Sequence, residues 1–135
     1  MSFPFEFIVE GRPVSQQTRR RERIRKWKED VRVAALRTWP TGELPETGNI
    51  MLTITLLYVD IHGDVDNIPK PIADALKGLV YDDDEQITDI LCRKRCLRDV
   101  HFRRITPALA QGLISNGDFL HITVDHAPNQ QEFLL

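Results

Sequence analysis

Cysteine is scarce in these 135 residues: Cys92 and Cys96 have no second Cys/His pair at ligand spacing. A disulfide-stapled domain and a structural zinc site therefore lack support, and both cysteines read as free thiols suited to a reducing compartment. Long apolar runs are also missing. The longest, Ile50 to Val59, is about half of what a membrane-spanning helix needs, and Met1 to Glu10 lacks the basic-then-apolar layout of a secretory signal. A cytoplasmic location is the expectation. No Gly-rich phosphate loop, G-x-S-x-G or HExxH is present, which removes support for nucleotide hydrolysis, serine chemistry and zinc proteolysis. Internal repeats and low-complexity tracts are absent too.

What is present is an ordinary globular balance of 41% hydrophobic and 28% charged residues, in a length that suits one domain over 1–135 with roughly the last eight residues as a flexible tail. The net charge of −2 hides a strong segregation. Arg12 to Arg37 carries a net +7, Arg93 to Arg104 +5, and Asp60 to Asp89 −7. Two basic blocks around an acidic centre are the layout a nuclease needs, because basic surface neutralises phosphates while clustered carboxylates hold a divalent metal.

Periodicity places these blocks on elements. Phe5, Phe7 and Val9 alternate with Glu6 and Glu10, so Phe3 to Glu10 reads as a strand ended by Gly11 and Pro13. Ile24, Trp27, Val31, Ala34, Ala35 and Thr38 recur at helical steps and predict an amphipathic helix from about Thr18 to Thr38. Its outer face carries Arg19, Arg20, Arg21, Arg23, Arg25, Lys26 and Lys28, either a solvated face or a DNA-binding one. A loop of turn formers from Trp39 to Asn49 leads into Ile50–Val59, a β-rich strand expected at the centre of a sheet.

Beyond it, Asp66 or Asn67 is a good N-cap, Pro69 and Pro71 fit a first helical turn and Gly78 suits the position after the helix, which predicts a helix of about Ile68 to Lys77. Gln86 to Leu97 reads as a strand that carries Arg93, Lys94 and Arg95, Pro107 to Ile114 as a short helix, and Phe119 to Val124 as a closing strand. Trp27 and Trp39 read as core or dimer-contact residues and His62 as a loop residue.

The chemistry concentrates between Asp64 and Ile87. Asp64 and Asp66 stand two apart where a strand runs out, and extended geometry sets both carboxylates on one side of the backbone. Mg²⁺ takes oxygen ligands and keeps several waters, so these two and a third acid from the Asp82–Asp84 turn would suffice. Four consecutive acids, Asp82 to Glu85, also repel one another unless they face water or a cation. Lys70 lies close enough to contact a scissile phosphate, Asp74 at i,i+4 could hold it, and Asn67 could orient the loop. An EF-hand loop is excluded: Pro69 occupies its sharp-turn glycine position and no Glu closes the twelve.

The pattern formed by Asp64, Asp66, Asn67 and Lys70, then Asp74-Ala75-Leu76, then Asp83, Asp84, Gln86 and Ile87, resembles the signature of RusA-like Holliday junction resolvases. The resemblance implies a mixed α/β fold with a single-layer mixed sheet and two main helices. It also implies a symmetric, Mg²⁺-dependent dimer (Mn²⁺ substituting) of a family often carried by prophages, which nicks opposed strands of a four-way DNA junction. It assigns the catalytic and metal-binding carboxylates to Asp64, Asp66 and Asp84 and the catalytic lysine to Lys70; Asp83 joins Asn67 and Asp74 as support. Asp82 is an extra acid, and Arg98 to Asp118 is longer than the tight hairpin expected before the last strand. The alternatives are a flap, branched-DNA or defence-related nickase on the same scaffold, and a non-catalytic module that binds DNA structures or a protein partner.

Overall fold

The computed structural model describes residues 3–13, 21–60 and 67–133. Its elements in chain order are strand β1 (Phe5–Glu10), helix α1 (Arg21–Thr38), β2 (Ile50–Tyr58), α2 (Pro69–Leu76), a 3-10 turn (Asp84–Gln86), β3 (Ile87–Cys96), α3 (Pro107–Ile114) and β4 (Phe119–His126). The fold is mixed α+β: one four-stranded sheet in the order β1-β4-β2-β3 and three helices, the stretch at Pro107 being a helix in its own right. No described helix is long and apolar enough to cross a membrane.

Strand parity decides how the sheet is covered. One row of paired residues, Phe7, Ile122, Ile54 and Cys92, crosses all four strands on the same face. With Phe5, Val9, Leu52, Leu56, Leu120 and Val124 it packs against Trp27, Val31 and Ala35 of α1 and Ile72, Ala75 and Leu76 of α2 to form the main core. Both tryptophans are buried there, and the Trp39 indole donates to the carbonyl of Glu43. The opposite face is covered at one end, where α3 sets Leu109 over Leu57 and Phe119. As expected, β2 is central: Leu56 and Leu57, which point to opposite faces, are both buried. β3 lies at the edge and has no fully buried residue.

Two expectations are refined, and two others fall outside the described residues. Asn67 does not cap α2; Ile68 holds that position with helical dihedrals and no side-chain bond, and Pro71 at N3 has no amide for a cap to satisfy. Asp66, the other candidate cap, lies outside the described residues, as does 14–20, where the sequence starts the first helix. Finally, no hairpin can join β3 to β4, since β4 pairs with the far side of β2 and the connection has to cross it. Arg98–Asp118 makes that crossing and carries α3.

Gly78 has φ +86°, a conformation that costs a residue with Cβ, and reverses the chain after α2 so that its amide reaches the Tyr81 carbonyl at 2.7 Å. Gly112 is glycine for space: a Cβ there would come within 2.4 Å of a ring carbon of Phe119, which is fully buried. Gly112→Ala should therefore destabilise the protein. Overpacking costs about 1–3 kcal/mol against at most about 1 kcal/mol of gained helix propensity, so a lower midpoint in urea denaturation is the expected result.

Candidate active site

β2 and β3 are parallel, so the chain between them must cross over, and that crossover, residues 59–86, contains every acid and the lysine singled out above. Its start is clamped. The Val59 amide donates to Asp118 Oδ1 at 2.8 Å, Arg12 holds Asp118 Oδ2 at 3.0 Å, and the Leu97 amide reaches the Tyr58 carbonyl at 2.8 Å. Arg98 pairs with Asp60 just beyond. The site loop thus leaves the sheet from a fixed point. Asp118 is a residue that the sequence did not single out, because its partners lie at residues 12 and 59, far off in the chain.

The far end of the crossover is fixed by Gln86. Its Oε1 accepts from the amides of Asp82 at 2.8 Å and Asp83 at 2.9 Å, while its Nε2 donates to the carbonyls of Glu46 at 2.7 Å and Gly48 at 2.8 Å. Asp83 caps the same turn by accepting from the Glu85 amide at 3.4 Å, so its role in this geometry is to shape the backbone. The buried Tyr81 donates its hydroxyl to the carbonyl of Ala73 and ties the turn to α2. Burial, with the nearby charges of Asp84 and Asp74 adding to it, pushes the Tyr81 phenol well above its ordinary value and keeps it a neutral donor.

The result sorts the four consecutive acids. Asp82, Asp83 and Glu85 are exposed; Asp84 is half-buried and turned toward α2. Its Oδ2 lies 3.9 Å from the Lys70 ammonium, and its Oδ1 is buried with no hydrogen-bond partner among the described residues. Lys70 also donates to Asp74 Oδ1 at 2.9 Å, and Lys28, arriving from α1, meets Asp74 Oδ2 at 3.1 Å. The hydrogen bond and charge of Asp74, more than the charge of Asp84, raise the Lys70 pKa. Lys70 is therefore a fixed positive charge. Burial works to raise the Asp74 pKa, but the bonds and charges of Lys70 and Lys28 outweigh it and hold the carboxyl below its usual range.

An orphaned, buried carboxylate oxygen in an acidic turn is chemically suited to a cation, and oxygen donors of this kind are the ones Mg²⁺ takes. Among the described residues no group of three His, Cys, Asp or Glu side chains is placed to hold a metal. Asp64 and Asp66, the other two expected ligands, lie outside them, as do Arg19, Arg20 and His62. Asn67 is half-buried at the foot of α2.

The expected DNA-contacting residues divide. Arg21, Arg23 and Arg25 are exposed on α1, as is Lys26, which pairs with Asp30 at 2.7 Å. Lys28 faces α2, as does Arg32, which donates to the carbonyls of Ala75 at 3.1 Å and Lys77 at 3.0 Å and so caps the C-terminus of α2. On β3, alternation sends Lys94 toward the α1/α2 side, while Arg93 and Arg95 lie on the other; Arg93 Nε donates to Thr55 Oγ1 at 2.9 Å. The triplet that is continuous in sequence is therefore two surfaces in space.

Because the folded-state pKa of Asp74 is depressed, its contribution to stability is complete above the ordinary carboxylate pKa and is lost as pH falls through the folded value. Asp74→Asn should lower the urea midpoint at pH 7, and the gap from the unsubstituted protein should close toward pH 3; a gap that stays constant would contradict this ion-pair account.

Over residues 8–103 the sequence matches the family described as Endodeoxyribonuclease RusA, while no curated protein matches it. The matched region takes in the second half of β1, all of α1 and β2, the entire crossover and β3. With more than half of its residues matched, including the turn that presents Asp84 to Lys70, the chain belongs to the RusA family of endodeoxyribonucleases.

Proposed function

We propose that this endodeoxyribonuclease is a Mg²⁺-dependent resolvase of four-way DNA junctions, acting in recombination and repair as a homodimer that makes paired nicks. The observation that carries the reading is Asp84: a half-buried carboxylate with one buried oxygen that meets no donor among the described residues and a lysine 3.9 Å from the other. Asp64, Asp66 and Asp84 would hold the ion. In sequence, Asp66 directly precedes Asn67, the residue at the foot of α2. When bound, Mg²⁺ would supply a Lewis acid that makes water more acidic and polarises the scissile phosphate.

The chain's own residues do the rest. Lys70, more than half exposed and held protonated by Asp74, offers its free N–H groups to a phosphate oxygen and stabilises the charge that develops on it. Asp74 fixes the lysine's direction, and Asp83 and Gln86 fix that of Asp84. Arg21, Arg23 and Arg25 provide exposed positive charge for the backbone of an incoming arm, with Arg19 and Arg20 extending the run in sequence. Two nicks on opposed strands need two such sites, and one chain carries one, which is the reason for a symmetric dimer.

Asp66→Asn and Asp84→Asn should each abolish cleavage while leaving junction binding equal or tighter, because a negative charge near phosphate is removed. The same variants should lose the rise in melting temperature that Mg²⁺ gives the unsubstituted protein. Retained cleavage by either variant would end the metal assignment.

The substrate is tested by digesting a mobile four-way junction, a flap and a linear duplex side by side, with and without Mg²⁺. The junction should be cut by paired nicks and only with the metal. A flap cut faster would favour the branched-DNA nickase, a reading to which α3 is relevant, since this helix lies beyond the matched residues 8–103. No cleavage of any substrate, together with no thermal shift by Mg²⁺ or Mn²⁺, would favour a binding module.

A further inference from the structure

Lys28 belongs by sequence to a run of basic residues, but its placement separates it from them. We propose that Lys28 is a positioning residue of the nuclease site: it occupies one oxygen of Asp74 so that Lys70, bonded to the other, stays available to Asp84 and to substrate. The inference rests on the nuclease reading above and adds a member, from a different element, to its machinery.

Three observations carry it. Asp74 stands between two ammonium groups, with Lys28 at 3.1 Å on Oδ2 and Lys70 at 2.9 Å on Oδ1. The two lysines differ in access, since the Lys28 side chain is 33% exposed and that of Lys70 is 58%, so Lys70 is the one that can reach a phosphate. Arg32, four residues on and on the same face of α1, donates to the carbonyls of Ala75 and Lys77, and this second bracket between the helices fixes the height at which Lys28 meets Asp74.

The physical consequence follows from counting donors. An ammonium has three N–H groups; Lys70 gives one to Asp74 and keeps two for the Asp84 side and for substrate. Without Lys28 the second oxygen of Asp74 would carry uncompensated charge in a partly buried place, and the nearest cation to satisfy it is Lys70. Lys70 would then be drawn onto Asp74 and away from Asp84. Loss of position in a reacting group by about 1 Å costs on the order of a hundredfold in rate, so an effect of about tenfold or more is within reach of this displacement.

The test measures single-turnover cleavage of a four-way junction in Mg²⁺, and junction affinity without metal, for the unsubstituted protein, Lys28→Met, Lys28→Arg, Asp74→Asn and the Lys28→Met/Asp74→Asn double variant. Lys28→Gln replaces the Met variant if that one fails to fold. The expected result is a Lys28→Met rate about tenfold or more lower with affinity within about twofold, recovery of most of the rate in Lys28→Arg, and a double variant no slower than the slower single one. Cleavage by Lys28→Met at the full rate overturns the inference and leaves the nuclease reading intact. Weakened affinity in Lys28→Met, with the salt dependence of binding reduced by about one counterion, also overturns it and makes Lys28 a direct phosphate contact. If the unsubstituted protein cuts no DNA, the nuclease reading falls first and takes this inference with it.

Discussion

Parallel strands cannot be joined by a tight turn, and in this protein everything functional follows from that constraint. β2 and β3 run parallel as neighbours, so the chain between them leaves the sheet, forms α2 on the covered face and returns through a 3-10 turn. The acids of the site and Lys70 therefore belong to one excursion whose two ends are anchored. Asp118 holds the exit at Val59, and Gln86 holds the return against Glu46 and Gly48.

Between those anchors the charges are arranged by packing as much as by attraction. Ile72, Ala75 and Leu76 bury one face of α2 against the sheet, which leaves Lys70 and Asp74 on the outward face, where α1 supplies Lys28 and Arg32. The basic helix thus has two tasks on two faces: one brackets α2, and the other shows exposed arginines to solvent. Ion pairs of this kind add little net stability, but they fix direction, and direction is what a site built on single charges needs.

Much of this was readable along the chain. The alternation of Phe5, Phe7 and Val9, the helical spacing of Trp27, Val31 and Ala35 and the apolar run of β2 all report burial on a repeating face, a local property that the sequence carries directly. The spacing of Asp64, Asp66, Lys70, Asp74 and Asp84 was legible for the same reason, since these residues share one stretch of chain. Cap chemistry was less so: Asn67 looked like the N-cap of α2, but the helix starts one residue later and Ile68 holds that position.

The residues by themselves determined which segments are strands and helices, that the negative charge is central and the positive charge flanking, and which family the motif belongs to, because all of these depend on near neighbours. Only the tertiary structure decided that Lys28 faces Asp74, that Asp118 holds Val59, that Lys94 and not Arg93 lies on the face covered by α1 and α2, and that Asp84 is the one acid of four turned inward. Each of these depends on strand order or helix docking, and pairs 40 or more residues apart leave no periodic trace in a single chain. The crossover fixes them, and with them the chemistry.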